Sequence, residues 1–268
     1  MLLDKVDGFI IDLDGTVYRG KQPIEGARET IQYLRASGKK IVFLTNRGNY
    51  SRRMCRDKLN DMGIAVSDDE IVLSSTVTAA YLRRIDPECK AWPFGDEGLK
   101  EELSLAGVHI ADRPEEADWL VITLFENLTY ADLNRAFRAV RHGARIIATN
   151  DDRTFPGDDG DSIDVAGMIG AIVNATGQSV SIVIGKPSPF MSDAALQSLR
   201  LPPERCLVIG DSMASDIQLG KSSGMRTALV LSGSTTREQV EAAADKPDWI
   251  WESLSELISL LEGVKTKC

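Results

Sequence analysis

The stretch that decides the fold is "GFIIDLDGT", residues 8–16. An apolar run, Gly8–Ile11, leads into two carboxylates, Asp12 and Asp14, and Gly15 and Thr16 follow at once. A short run of this kind reads as a strand buried on both faces, the habit of parallel sheets. Asp-x-Asp-Gly after a strand is, taken alone, most often a turn. It is also how a sheet would present two acids at its carboxyl edge, where open α/β sheets bind ligands. The rest of the chain decides between the two.

Working outward, "GARETIQYLRAS" (26–37) has helical spacing and Gly38 ends it. "KIVFLTN" (40–46) is the next strand, and "SRRMCRDKLNDMG" (51–63) is a helix with Ser51 as N-cap and Gly63 as stop. Strand–helix–strand–helix order predicts a parallel sheet covered by helices. Later runs are expected to extend the same sheet: "SVSIVIG" (179–185), "RCLVIGD" (205–211) and "RTALVLSG" (226–233). "MASDIQLGKSSG" (213–224) is expected as a helix between the last two, and "PDWIWESLSELISLLEG" (247–263) as a short strand and an amphipathic helix.

The middle has elements of its own. "AWPF" (91–94), "DWLVITL" (118–124) and "ARIIATN" (144–150) read as strands. "TYADLNRAFRAVRHG" (129–143), capped by Thr129, and "DVAGMIGAIVNATG" (164–177) read as helices. The expected architecture is α/β. A Rossmann-like parallel-sheet core is split between residues 1–79 and 179–268, and a second α/β domain is inserted at 80–178.

Composition removes several classes. A net charge of -9 over 268 residues argues against a basic nucleic-acid footprint. It does not exclude a small anionic substrate, which responds to local cations. No stretch approaches the roughly 20 apolar residues of a membrane span. The opening "MLLDKVDGF" is too short and acidic for a secretory signal, so a cytoplasmic protein is expected. Cys55, Cys89, Cys206 and Cys268 show neither a CxxC pair nor zinc spacing and read as reduced thiols. His109 and His142 lack a metal or catalytic partner nearby in sequence, which leaves acid–base work to carboxylates or lysine.

Polar residues recur where the expected outer strands end. The first gives Asp12 and Asp14; the second Thr45, Asn46 and Arg47. The third leads through Gly185 to Lys186; the fourth gives Asp211, Ser212 and, one turn on, Asp216. In a parallel sheet these share one rim. Each motif alone is more often a cap or a loop, but four in succession are much less so. Carboxylates crowded on one rim repel one another, and a hard divalent cation such as magnesium relieves this with oxygen ligands. Thr45 and nearby N–H groups suit phosphate oxygens, Lys186 supplies a compact positive charge, and a carboxylate is a competent nucleophile toward phosphorus.

"DLDGT", "LTN", "GKP" and "GDSMASD", in this order, resemble the four motifs of the haloacid dehalogenase superfamily. Thirty-three positions separate Asp12 from Thr45, and 141 separate Thr45 from Lys186, room for a whole cap and similar to the C2-capped branch. "IEGARETI", "IVFLTNRGN", "ARIIATNDDRTFP" and "DVAGMIGAI" resemble the NagD-like phosphatases, most closely those of the AraL type. The resemblance spans nearly the whole chain. It implies a magnesium-dependent phosphatase of small phosphate esters, sugar phosphates first, with p-nitrophenyl phosphate as a surrogate. It casts Asp12 as nucleophile and Asp14 as general acid and then base. Magnesium would be held by the Asp12 side chain, the Asp14 backbone oxygen and Asp211; Thr45, Asn46 and Lys186 would bind phosphate. Asp216 would orient Lys186 or the metal shell, with Ser212 supporting. Where relatives often carry Pro, this chain has Asp151, with little expected consequence.

Other features are weaker. "SDIQLGKS" (215–222) falls short of a P-loop because Ser215 replaces its first glycine. "DDRTFPGDDGD" (151–161) reads as a solvated acidic loop rather than a calcium site. Trp92, Phe94, Trp119 and Phe155 are candidate pocket walls, with core packing favoured for Trp92 and Trp119; Arg47 and Arg153 are candidates for further phosphate or sugar contacts. Rival readings are a phosphotransferase or mutase using the same phospho-Asp12, and a non-catalytic sugar-phosphate sensor. A homodimer is left open.

Overall fold

The computed structural model describes residues 3–157 and 160–265. Its first sheet has six strands in the order Trp249–Trp251, Arg226–Val230, Cys206–Gly210, Gly8–Ile11, Lys40–Thr45, Ile71–Leu73, with every neighbouring pair parallel. Gly8–Ile11 lies inside the sheet, buried at all four positions, which is why its sequence does not alternate. The helix Ala27–Ala36 turns Ala27, Thr30, Ile31 and Leu34 inward, and Gly38 (φ 71) follows its end. In the helix Arg52–Asp61 the Ser51 hydroxyl accepts the Met54 N–H at 3.2 Å, the expected N-cap.

The second sheet has five parallel strands in the order Val180–Val183, Arg145–Ala148, Trp119–Ile122, Lys90–Phe94, His109–Ile110. This corrects one expectation. Val180–Val183, read as a strand of the outer sheet, is an edge strand of this one. An apolar run signals burial but carries no information about its neighbour, because parallel partners are distant in sequence. The two sheets are not independent. One buried cluster runs from Ile10, Val42 and Val208 through Ala79, Leu103 and Met191 to Ala91, Trp119 and Ile147.

Further elements differ from expectation. The acidic stretch after Asn150 is a hairpin, Thr154–Gly157 against Gly160–Ile163, pairing Phe155 with Ser162. Its charges masked the alternation; Asp158 and Asp159 lie outside the described residues. The expected single helix at 213–224 opens as a π-helical turn, Met213–Ile217, before the short helix Gln218–Ser222. Strand Ile71–Leu73 and helices Ser74–Ile85 and Glu97–Leu105 were not anticipated. Cys55, Cys89 and Cys206 are free and buried, and Cys268 lies outside the described residues. Among the described residues no helix is long and apolar enough to cross a membrane.

Candidate active site

Asp12 is the first residue past its strand, and its N–H still donates to the Ile209 carbonyl of the neighbouring strand at 2.9 Å. That backbone bond fixes where the carboxylate emerges. The side chain is buried and accepts from Lys186 Nζ at 2.5 Å. The same ammonium donates to Asp216 at 2.6 Å and to the Leu44 carbonyl at 3.2 Å. Lys186 is itself 3% exposed, so all three of its protons are spent inside the protein.

Asp216 reaches the lysine because the π-helical turn folds it back over the preceding strand end. Its other oxygen accepts the Ser212 N–H at 3.1 Å. A Cβ on Gly210 would lie 2.1 Å from the Asp216 carboxyl carbon, so only glycine permits this approach. Asp211 points to the same space and accepts the Ser234 N–H at 2.6 Å. The Ser212 hydroxyl caps the turn by accepting the Ser215 N–H at 3.2 Å.

Thr45 ends the adjoining strand, and its hydroxyl accepts the Arg47 N–H at 3.2 Å. Asn46 spends its side chain differently from the expectation of a phosphate contact. Its Oδ1 accepts the Lys186 N–H at 2.7 Å, and its Nδ2 donates to the Lys186 carbonyl at 3.2 Å and to Asp152 at 2.8 Å. It clamps the lysine loop to the first sheet.

Asp14 stands apart from the Lys186 cluster. It accepts the Tyr18 hydroxyl at 3.2 Å and a fork from Arg47, Nε at 3.2 Å and Nη2 at 3.1 Å. The Arg47 guanidinium lies 4.2 Å from the centre of the Phe155 ring on the hairpin. Despite burial, the Asp14 carboxylate keeps Arg47 charged, its pKa raised.

The nine residues singled out from the sequence, Asp12, Asp14, Thr45, Asn46, Arg47, Lys186, Asp211, Ser212 and Asp216, all line one cavity of about 120 Å³. Arg153 is exposed and does not line it, and Trp119 is a core residue. Asp152, Asp164, Ser215 and Ser234 also line it and were missed. Ser234 follows the strand Arg226–Val230, so the strand-end rule could have found it. Asp152 was hidden in the stretch read as solvated, and Asp164 at the start of the helix read at 164–177.

Burial drives the Asp12 carboxyl well above its ordinary range; Lys186 opposes this, and Asp216 and Asp211 add to it. Burial and the nearby Asp216 push Asp211 up to about 6, against the Ser234 N–H. Lys186 is held charged, its pKa raised, because Asp12 and Asp216 outweigh its own burial. Oxygens of Asp12, Asp211 and Asp216 lie within 4.8 Å of one another. One lysine cannot neutralise three buried carboxylates. The all-oxygen donor set and the excess negative charge fit a hard divalent cation.

Comparison with known proteins agrees with this geometry. Residues 9–109 match the pattern of the haloacid dehalogenase-like hydrolases, and residues 183–257 match a second HAD-hydrolase-like pattern. The chain belongs to the haloacid dehalogenase-like hydrolases. It is 54% identical to the sugar-phosphatase AraL of Bacillus subtilis over 95% of this chain and 93% of that one. Among solved structures it is similar to a p-nitrophenyl phosphatase from Archaeoglobus fulgidus (37% identity, TM-score 0.88, covering 95% and 99% of the two chains). NagD from E. coli K-12 superposes with TM-score 0.83 at 28% identity, covering 94% and 98%. The chain is a NagD-like phosphatase of the AraL type.

Proposed function

We propose that the protein hydrolyses small phosphate monoesters, sugar phosphates first among them, through a phosphorylated Asp12. The observation that carries this reading is the division between the two acids of the opening motif. Asp12 is clamped by Lys186 beside Thr45 and Asp211, whereas Asp14 is held on the other side by Tyr18 and Arg47. Two identical side chains in different surroundings suit different tasks.

In the first displacement an Asp12 oxygen attacks phosphorus and forms the acyl phosphate as the bond to the leaving oxygen breaks. Asp14 gives that oxygen its proton. In the second, a water yields its proton to Asp14 and attacks phosphorus, which returns Asp12 to a carboxylate and releases phosphate. Thr45 binds the equatorial oxygens, and Lys186 joins it by passing its hydrogen bond from Asp12 to the transferring phosphoryl group, while Asn46 and Asp216 keep Lys186 in place. Arg47 must release or share Asp14 as substrate enters, which makes it a candidate phosphate contact. Asp12, the Asp14 backbone oxygen and Asp211 would hold magnesium, which supplies charge neutralisation for the transferring phosphoryl group.

The sugar preference rests on similarity to the AraL sugar phosphatase, and p-nitrophenyl phosphate as a surrogate on the Archaeoglobus relative. A cytoplasmic site of action without nucleic-acid partners accords with the acidic chain. Release of free phosphate, rather than transfer to added sugars, separates hydrolysis from a mutase or phosphotransferase; a sensor would release none. Asp12→Asn should abolish turnover, and retained activity in a clean preparation would sink the covalent route. Chelation with EDTA should stop the enzyme and magnesium restore it; full activity after exhaustive chelation would remove the metal from this reading.

A further inference from the structure

Beside the catalytic cavity, and sharing Asp14, Arg47 and Phe155 with it, lies a larger one of about 730 Å³. The helix Arg52–Asp61 lines it, together with Tyr50, Glu126 and Phe155. Because Asp14 opens onto it, this is the side from which a leaving group would take its proton.

Four cations line this space, and they are not equivalent. Arg47 is committed to Asp14, and Arg53 to Glu101 and Asp57. Lys21 is exposed at the rim. Lys58 is half-buried, and among the described residues no carboxylate lies within ion-pair distance of it. Its ammonium sits 3.8 Å from the centre of the Tyr18 ring and 5.4 Å from that of Tyr50. The Tyr18 hydroxyl is bonded to Asp14, so Lys58 stands one aromatic ring away from the acid.

An ammonium withdrawn from water without a counter-ion is costly, and a cation–π contact offsets only part of that cost. Burial accordingly lowers the Lys58 pKa. The carboxylates lining the cavity do not fill the role. Asp14 is taken by Arg47, Asp57 by Arg53 and Arg56, Glu126 lies 4.0 Å from Arg47, and Asp61 is exposed. A bound anion would complete the site.

We propose that this cavity receives the leaving-group half of the substrate and that Lys58 binds a second anionic group on it, a carboxylate or a second phosphate. The inference rests on the phosphatase reading and narrows it to phosphorylated sugar acids and bisphosphates.

The test compares gluconate 6-phosphate with glucitol 6-phosphate, which differ only in a carboxylate against a hydroxymethyl at C1. A charge-assisted hydrogen bond should give the wild type roughly tenfold or more in kcat/KM for the acid, expressed mainly in KM. Lys58→Met should bring the ratio of the two esters to near one, and Lys58→Arg should keep most of it. Measured within each variant, the ratio does not depend on how much of that variant folds. A wild-type ratio near one, or a preference that survives Lys58→Met, would overturn the subsite. If the wild type frees no phosphate from either ester but does from p-nitrophenyl phosphate, the subsite alone fails. If it frees none from any of the three, the phosphatase reading fails with it.

Discussion

The two sheets end in similar polar residues and put them to different use. On the first, Thr45 ends its strand, Asp12 and Asp211 follow theirs, and all three open onto the cavity. On the second, Thr123, Thr149 and Asn150 follow theirs, yet the rim is closed. Thr149 donates to the Thr123 hydroxyl at 2.8 Å, and Asn150 donates to Asp152 at 2.9 Å. The loop after Thr45 fills what space is left: a Cβ on Gly48 would lie 2.4 Å from the Thr149 hydroxyl and 2.5 Å from that of Thr123. Hydroxyls satisfy one another and can be packed over by backbone. Crowded carboxylates cannot, so their rim stays open to a lysine, a cation and a phosphoryl group. The second sheet thus acts as the wall against which the first sheet's catalytic loop is braced.

The sharpest way to break this comparison is chemical. Asp12→Asn removes the nucleophile with little change in shape, and on the order of a 10³-fold loss of kcat or more is expected in phosphate-release assays. Next in size is the joint between the rims. Gly48→Ala pushes a methyl into the paired hydroxyls, and overpacking of this kind typically costs about 1–3 kcal/mol. A lower urea midpoint at unchanged slope should report it, together with a fall in activity because the same loop carries Arg47. An unaltered midpoint would show that the rims are not packed as described.

The same contrast explains what was legible in the sequence. Asp12, Thr45 and Asp211 were readable because a strand end in a parallel sheet has one destination. Lys186 was found for a reason that was half right. It does reach the rim, but from the edge strand of the second sheet, pulled in by its backbone bonds to Asn46 and its ion pairs with Asp12 and Asp216. Asn46 was assigned to phosphate by its position in a motif, while its amide is spent on the Lys186 loop. Asp152 escaped notice because an acidic stretch reads the same whether it is solvated or folded into a hairpin beside a cavity, and Asp164 because an acid at a helix start reads as a cap. Lys58 gave no signal at all: a lysine on an amphipathic helix is ordinary until the Tyr18 and Tyr50 rings beneath it are known.

The smallest effect concerns an acid that belongs to neither strand rim. Asp164 caps the helix Val165–Thr176, accepting the Val165 N–H at 2.7 Å, and its side chain lines the catalytic cavity. Burial, with Asp152 and Asp14 nearby, pushes its pKa to about 6, against the Val165 N–H and Arg47. The folded state therefore favours the protonated acid. That contribution to stability is complete below the ordinary value of 3.8 and is lost as pH rises through about 6. Two units would correspond to roughly 3 kcal/mol, and partial exposure reduces this to about 1–2 kcal/mol. Asparagine caps a helix as well as aspartate and carries no charge. Asp164→Asn should therefore lose less stability than the wild type between about pH 4 and 7, read as urea midpoints at each end. Parallel pH dependence in the two proteins would mean that Asp164 stays ionised in the cavity wall, and that the hairpin side of the site tolerates charge as readily as the catalytic rim.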